Sequence, residues 1–271
     1  MQIQKNTGEI EKFSEAKLCN SIRASGAPKK LTDEVCHSVK QKIPENGTTT
    51  NIFRQTLHYL MKEDIDIAVA YSLARGLEKL GPTGFRFEQY IEALFQAYGY
   101  KTKRNQMIKG KCITHEVDVV LEKFGLTILV EAKYRNDKAI KTHVDVVMYA
   151  EARRQDIAEA NPKKDYQMLV VTNTKFTETS IKYAKCKDKI TLLGWNYPKG
   201  TALEDMIIKK KIYPVTVLPF VSDEIFHRFA EKEIILVEDL IPYGVTKLQK
   251  EFGLSARQAS QIVKTVAEIT K

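Results

Sequence analysis

The chain has 271 residues, 43% hydrophobic and 28% charged, which excludes a disordered protein and leaves room for two or three small domains. No run of about 18 apolar residues marks a membrane span, and residues 1–5 lack the apolar stretch of a signal peptide, so a cytoplasmic location is expected. The net charge of +9 is uneven: residues 81–200 carry 21 basic and 14 acidic side chains, against 12 and 10 in residues 1–80 and 10 of each in residues 201–271. A positive middle segment suits a polyanionic partner, as it also suits a solvated lysine-rich surface. The four cysteines, Cys19, Cys36, Cys112 and Cys186, form no CxxC pair and no pattern with histidine. They read as reduced structural thiols, and no zinc site is expected.

Taken in chain order, residues 2–13 read as two short strands around an Asn6-Thr7-Gly8 turn. Ser14 caps a helix that runs through Ile22. A second helix spans about Thr32 to Lys42, and Asn46-Gly47 breaks the chain. Thr50 or Asn51 caps a third helix, and a fourth runs from Ile65 to Leu80 until Gly81-Pro82 ends the unit.

This layout resembles the ATP-cone, the nucleotide-sensing module of ribonucleotide reductases and of the repressor of their genes. The likeness rests on Lys5 and Gly8 in the hairpin, Glu11, Phe13, Lys17 and the helix start from Thr48 through Thr49 to Ile52. The resemblance implies an ATP or dATP effector at Lys5, Gly8, Glu11, Lys17 and Thr49, with the lysines on the phosphates.

The next helix, Phe85 to Tyr98, has one apolar face and is stopped by Gly99. A strand from Tyr100 to Gln106 follows, with Gly110 as a turn. Val117–Leu121 and Leu126–Arg135 then pair as a hairpin. Glu131 and Lys133 are two apart, so they leave one face of their strand, and Asp118 lies on the partner strand. Three charges at the rim of an apolar hairpin are costly to desolvate unless they bind something or pair. Two carboxylates beside a lysine suit a Mg²⁺-dependent phosphodiesterase. Helix 144–159, strand 167–172, helix 177–185 and strand 190–195 complete a small α/β sheet with helices on both sides.

The helix glutamate Glu88, Asp118 in Glu116-Val-Asp-Val-Val120 and Glu131-Ala132-Lys133 resemble the PD-(D/E)XK nuclease core. The Gly84-Phe-Arg-Phe-Glu88 opening and the Thr172–Thr177 stretch resemble its Mrr-like restriction endonuclease branch. The resemblance implies Mg²⁺ (or Mn²⁺) on Asp118, Glu131 and the Ala132 carbonyl. Lys133 would orient the attacking water, and Glu88 would reach the metal through water or hold a second ion. It also implies a homodimer, one active site per strand cut. Lys101, Lys103, Arg104, Lys109, Lys111, Arg135, Lys138 and Lys141 form a candidate DNA-facing rim, whereas His115 and Glu116 face opposite ways on their strand and read as no joint site.

Residues 201–271 read as short helices, 203–208, 222–232, 237–241, 245–252 and 255–269. The joints Asp239–Pro242 and Phe252-Gly-Leu-Ser255 resemble a helix-hairpin-helix unit. The expected fold is a multidomain α/β protein. Residues 1–80 form an α+β ATP-cone-like domain, 81–200 a restriction-endonuclease-like domain with a mixed sheet flanked by helices, and 201–271 a small helical domain. The expected function is Mg²⁺-dependent DNA cleavage of the restriction or recombination type under ATP or dATP control. The alternative is a non-catalytic, nucleotide-responsive DNA-binding regulator that keeps the nuclease fold.

Overall fold

The computed structural model describes residues 2–5, 8–44, 47–81 and 84–271. The predicted Asn6-Thr7 turn, Asn46 of the helix break and Pro82 at the first boundary lie outside them. Strands β1 (Gln2–Gln4) and β2 (Ile10–Lys12) pair antiparallel. Helix α1 (Glu15–Ala24) is capped by Ser14, as expected. Helix α2 (Lys29–Lys42) starts three residues earlier than its apolar spacing indicates, directly after Pro28, whose extended backbone ends the preceding turn. Thr48 caps α3 (Thr49–Glu63), accepting from the Asn51 N–H at 3.1 Å, in place of the predicted Thr50 or Asn51. Helices α4 (Ile65–Glu78) and α5 (Gly84–Ala97) follow.

The expected strand-helix order then appears in full: β3 (Lys101–Lys109), β4 (Thr114–Lys123), β5 (Leu126–Lys133), α6 (Val144–Ala160), β6 (Tyr166–Thr172), α7 (Glu178–Lys185) and β7 (Ile190–Leu193). The chain closes with α8 (Leu203–Lys210), α9 (Asp223–Glu231), α10 (Val245–Phe252) and α11 (Ala256–Ile269), with single 3-10 turns at Val215–Val217 and Glu238–Leu240.

Contacts divide the chain into two compact units. The first holds Met1–Ala74, Val217–Ser222 and Ile241–Lys271, and the second Arg75–Thr216 and Asp223–Leu240. This division differs from the expected boundaries at 80/81 and 200/201, in that residues 201–271 are shared between the two units. In the second unit the Tyr90 hydroxyl donates to the Ile212 carbonyl at 2.6 Å and Thr216 donates to the Gly76 carbonyl at 2.7 Å, which ties this stretch to the sheet-bearing unit. Within the first unit Ile3, Leu18, Ile22, Val39, Ile52 and Leu60 form a buried core. Cys19 on α1 and Cys36 on α2 are joined there as a disulfide, Cα to Cα 5.7 Å, which corrects the expectation of four reduced thiols. Cys112 and Cys186 remain free. Among the described residues no helix is long and apolar enough to cross a membrane.

The second unit is organised on a five-stranded sheet of order β3-β4-β5-β6-β7. Its first three strands are antiparallel, and β5, β6 and β7 run parallel, so the sheet is mixed as predicted. Val117, Val120, Leu129 and Val170 pack under Val147, Ala150 and Ile157 of α6 and Ala184 of α7. Helix α5 buries Phe87, Tyr90, Ile91, Leu94 and Phe95 against the other face. Two layers of helix on a sheet leave only the strand ends for polar chemistry.

Candidate active site

Four strand residues and one helix residue place the predicted catalytic groups. In the β4–β5 ladder Val119 lies opposite Val130, which sets Asp118 and Glu131 one step beyond the last pair. The Ala132 N–H donates to Asp118 Oδ2 at 2.7 Å and locks that carboxylate against the Glu131-Ala132-Lys133 strand. Lys133 ends β5, half-buried, and among the described residues its ammonium makes no hydrogen bond or ion pair.

The backbone on the other side of Asp118 is unusual. In the β3–β4 ladder Arg104 pairs with Val119 and Gln106 with Val117, so Asn105 stands across from Asp118. Asn105 has φ 51°, a left-handed conformation inside a strand. The inward alternation slips at the same point: Val117 and Val120, three apart, both enter the cluster under α6. Such a break re-aims a side chain, and here the side chain at the break is Asp118.

The electrostatics reflect this crowding. Burial, followed by the Glu131 charge, pushes Asp118 up to about 7, while the Ala132 N–H works the other way. Glu88 on α5 is raised by burial and by Glu116 and Glu131. Three predicted residues, Glu88, Asp118 and Glu131, thus share one electrostatic neighbourhood, and Glu116, two residues before Asp118, joins it. Among the described residues, however, no three His, Cys, Asp or Glu side chains come close enough to hold a metal ion. Asp118 and Glu131 face each other as a pair, and Glu88 is coupled to them electrostatically from α5.

Several contacts lay beyond the reach of the sequence reading. Arg153 on α6 donates from Nη1 to Glu131 Oε2 at 2.5 Å, and its ring neighbour is Tyr149 at 5.0 Å. Burial opposes the Arg153 charge, but Glu131 outweighs it and the guanidinium stays firmly ionised. Asn173, just after β6, accepts from the Arg135 N–H and donates to the Arg135 carbonyl, both at 2.8 Å. That two-point clamp continues the β5–β6 alignment past Lys133 and fixes the chain's exit from the site. His115 meets Asp156 at 2.7 Å, and Asp156 also accepts from the Cys112 and Ile113 N–H groups, which holds the Asp156 carboxyl well below the usual range. His115 is thus a structural residue, in line with the sequence reading.

Of the candidate basic rim, Lys101, Lys103, Lys109, Lys138 and Lys141 are exposed. Arg104 pairs with Glu92 at 2.5 Å, and Lys111 forms a solvent-exposed ion pair with Glu159 at 2.9 Å. In the first unit the residues singled out for nucleotide binding do converge. Glu11 bridges Lys5 at 3.3 Å and Lys17 at 3.2 Å, Gly8 takes φ 87°, and a bridge from Gln4 to Thr48 brings the hairpin to Thr49 at the start of α3. Glu11 is held below its ordinary value, first by its bond to Lys17.

Residues 81–206 match the restriction endonuclease family, and residues 213–270 match the family described as AF1548-like, C-terminal. An uncharacterized protein of Archaeoglobus fulgidus is 32% identical over 170 residues, 63% of this chain and 94% of its own length. The crystal structure of the protein of unknown function AF1548 superposes with a TM-score of 0.56 at 30% identity, over 69% of this chain and 98% of that one. The MspJI restriction endonuclease in complex with a 27-mer oligonucleotide covers 52% of this chain and 31% of its own at 15% identity and a TM-score of 0.36, too loose a likeness to carry weight.

Proposed function

The chain belongs to the AF1548-like family and carries a restriction-endonuclease-like fold in residues 81–206, and from that premise we propose that it is a Mg²⁺-dependent DNA endonuclease. The observation that carries this reading is the facing of Asp118 and Glu131 at the open end of the β4–β5 ladder, with Lys133, unpaired among the described residues, two residues on. The donor set fits a hard cation. Both side chains offer carboxylate oxygens, the Ala132 carbonyl lies between Glu131 and Lys133, and a divalent charge would offset the burial and the Glu131 repulsion that raise Asp118.

When bound, Mg²⁺ supplies Lewis acidity to the scissile phosphate and acidifies a water. The chain's own groups do the rest. The Ala132 N–H fixes one oxygen of Asp118 and leaves the other for the cation. The Lys133 ammonium orients the attacking water and stabilises charge developing on phosphorus. Glu88, whose carboxyl burial pushes above its ordinary value, would reach the cation through water or exchange a proton with that water. Lys101, Lys103, Lys109, Lys138 and Lys141 would track the phosphate backbone, and a homodimer would cut both strands.

Incubation of supercoiled plasmid with the protein and Mg²⁺ tests this reading. Nicking or linearisation is expected for the unaltered protein and not for Asp118→Ala or Glu131→Gln, and undiminished cleavage by either variant overturns it. No cleavage by the unaltered protein would return the non-catalytic regulator to first place.

We also infer an ATP or dATP effector site at Lys5, Gly8, Glu11, Lys17 and Thr49, supported by the convergence of the two lysines on Glu11 beside the start of α3. A triphosphate would displace Glu11 from Lys5 and Lys17. Calorimetry is expected to register nucleotide binding that Lys5→Ala weakens at least about tenfold, as loss of a charge-assisted contact does. Absence of heat at millimolar nucleotide removes the effector from the scheme.

A further inference from the structure

Arg153 is buried against the candidate cation site from a helix that supplies none of the proposed ligands. Its side chain and that of Glu131 are 12% and 15% exposed. The contact is a single hydrogen bond, Nη1 to Oε2 at 2.5 Å, and not the two-pronged fork by which a guanidinium fully engages a carboxylate. The Arg153 Nε is buried with no hydrogen-bond partner among the described residues. The guanidinium also lies 5.0 Å from the ring of Tyr149, one turn earlier on α6, and that ring is 62% exposed. Arg153 therefore stands between a carboxylate inside the site and an aromatic surface that opens to solvent, with a donor unused.

We propose that Arg153 is a placeholder for the cation: it neutralises Glu131 while the site holds no metal, and moves to a phosphate oxygen of DNA when the cation takes the carboxylate. This rests on the reading of Asp118 and Glu131 as a divalent-cation site. Two ionised carboxylates facing each other in a buried setting repel, and a neighbouring positive charge stabilises the pair. A monodentate bond with an idle Nε is an incomplete use of a guanidinium. A phosphate, which accepts two parallel N–H bonds, completes it. The Tyr149 face offers the displaced guanidinium a cation–π support on its way toward the surface. Charge balance then ties the two ligands together. The cation releases Arg153 for DNA, and DNA holds Arg153 away from Glu131, so each strengthens binding of the other by the same factor.

Arg153 is a positioning residue in this scheme, since it acts through Glu131 before it meets substrate. The test is Mn²⁺ binding to the full chain by calorimetry, alone and with a phosphorothioate duplex that resists cleavage. Unaltered protein is expected to bind Mn²⁺ about tenfold more tightly when the duplex is present. Arg153→Gln is expected to bind Mn²⁺ about five- to tenfold more tightly than unaltered protein without DNA, and to lose most of the duplex effect. Arg153→Met, which keeps the packing of the stem, is expected to behave alike and replaces the Gln variant if that fails to fold. Equal or weaker Mn²⁺ binding by the folded variant overturns the placeholder and makes Arg153 a support for Glu131. Absence of Mn²⁺ binding by the unaltered protein, with and without duplex, overturns the cation site itself and the placeholder with it.

Discussion

Asp118→Asn is expected to melt at a higher temperature than the unaltered protein at pH 8 without divalent cation, and to lose that advantage as the pH falls to about 4. In the unfolded chain Asp118 ionises near the ordinary value of 3.8, whereas in the folded chain burial and Glu131 push it to about 7. Between these two values the folded state binds more protons, so stability declines as pH rises through the window and is lowest above it. An asparagine stays neutral throughout and keeps an oxygen to accept the Ala132 N–H. At about 1.4 kcal/mol for each tenfold, the full difference is on the order of 4 kcal/mol, and relaxation of the site reduces it. A gain of about 5 °C or more in midpoint at pH 8 is therefore expected, measured by calorimetric or spectroscopic melting. Added Mg²⁺ is expected to reverse the order, since it stabilises only the protein that binds it. Cleavage is expected to vanish in the same variant. Identical melting of the two proteins at pH 8 would mean that the ionised carboxylate meets no penalty in the folded state, and the electrostatic account of the site would fall.

The site's carboxylates were legible because strand geometry is local. Two residues apart on a strand is one face, and a hairpin places its arms in register, so Asp118, Glu131 and Lys133 could be grouped from spacing alone. Glu88 was legible as a helix residue near the same end, although the coupling of Glu116 to it was not. Arg153 was out of reach for a physical reason. Arg153, Arg154 and Asp156 are consecutive charges on α6, and which of them turns inward depends on the rotation of the helix over the sheet. Arg154 turns to Glu151, Asp156 to His115, and Arg153 to Glu131. Asn105 carries no mark in sequence either, because a left-handed residue inside an alternating strand is imposed by the neighbouring ladder. The disulfide joins helices whose facing was not read, and the short C-terminal helices give no sign of which unit each one joins.

Lys133→Ala is expected to lower the rate of DNA cleavage by about 10²- to 10⁴-fold, the range spanned by loss of a positioned proton-transfer group or a charge aimed at the transition state. The thermal midpoint is expected to move little. Lys133 sits at the end of β5 and makes no hydrogen bond or ion pair among the described residues, so its removal orphans no buried partner. Substrate affinity is expected to fall far less than the rate, because on the proposed reading the exposed lysines of the rim would supply most of the phosphate attraction and would act in the ground state as well. Mn²⁺ binding is expected to persist, since Lys133 is not a ligand. Lys133→Arg is expected to restore little, because a planar guanidinium fork does not reproduce a compact ammonium point charge. Single-turnover cleavage with enzyme in excess separates the rate from binding. A rate within about tenfold of the unaltered protein would remove Lys133 from the chemistry and leave the carboxylate pair to act without a cationic side chain of its own, a role that the freed guanidinium of Arg153 would then have to fill.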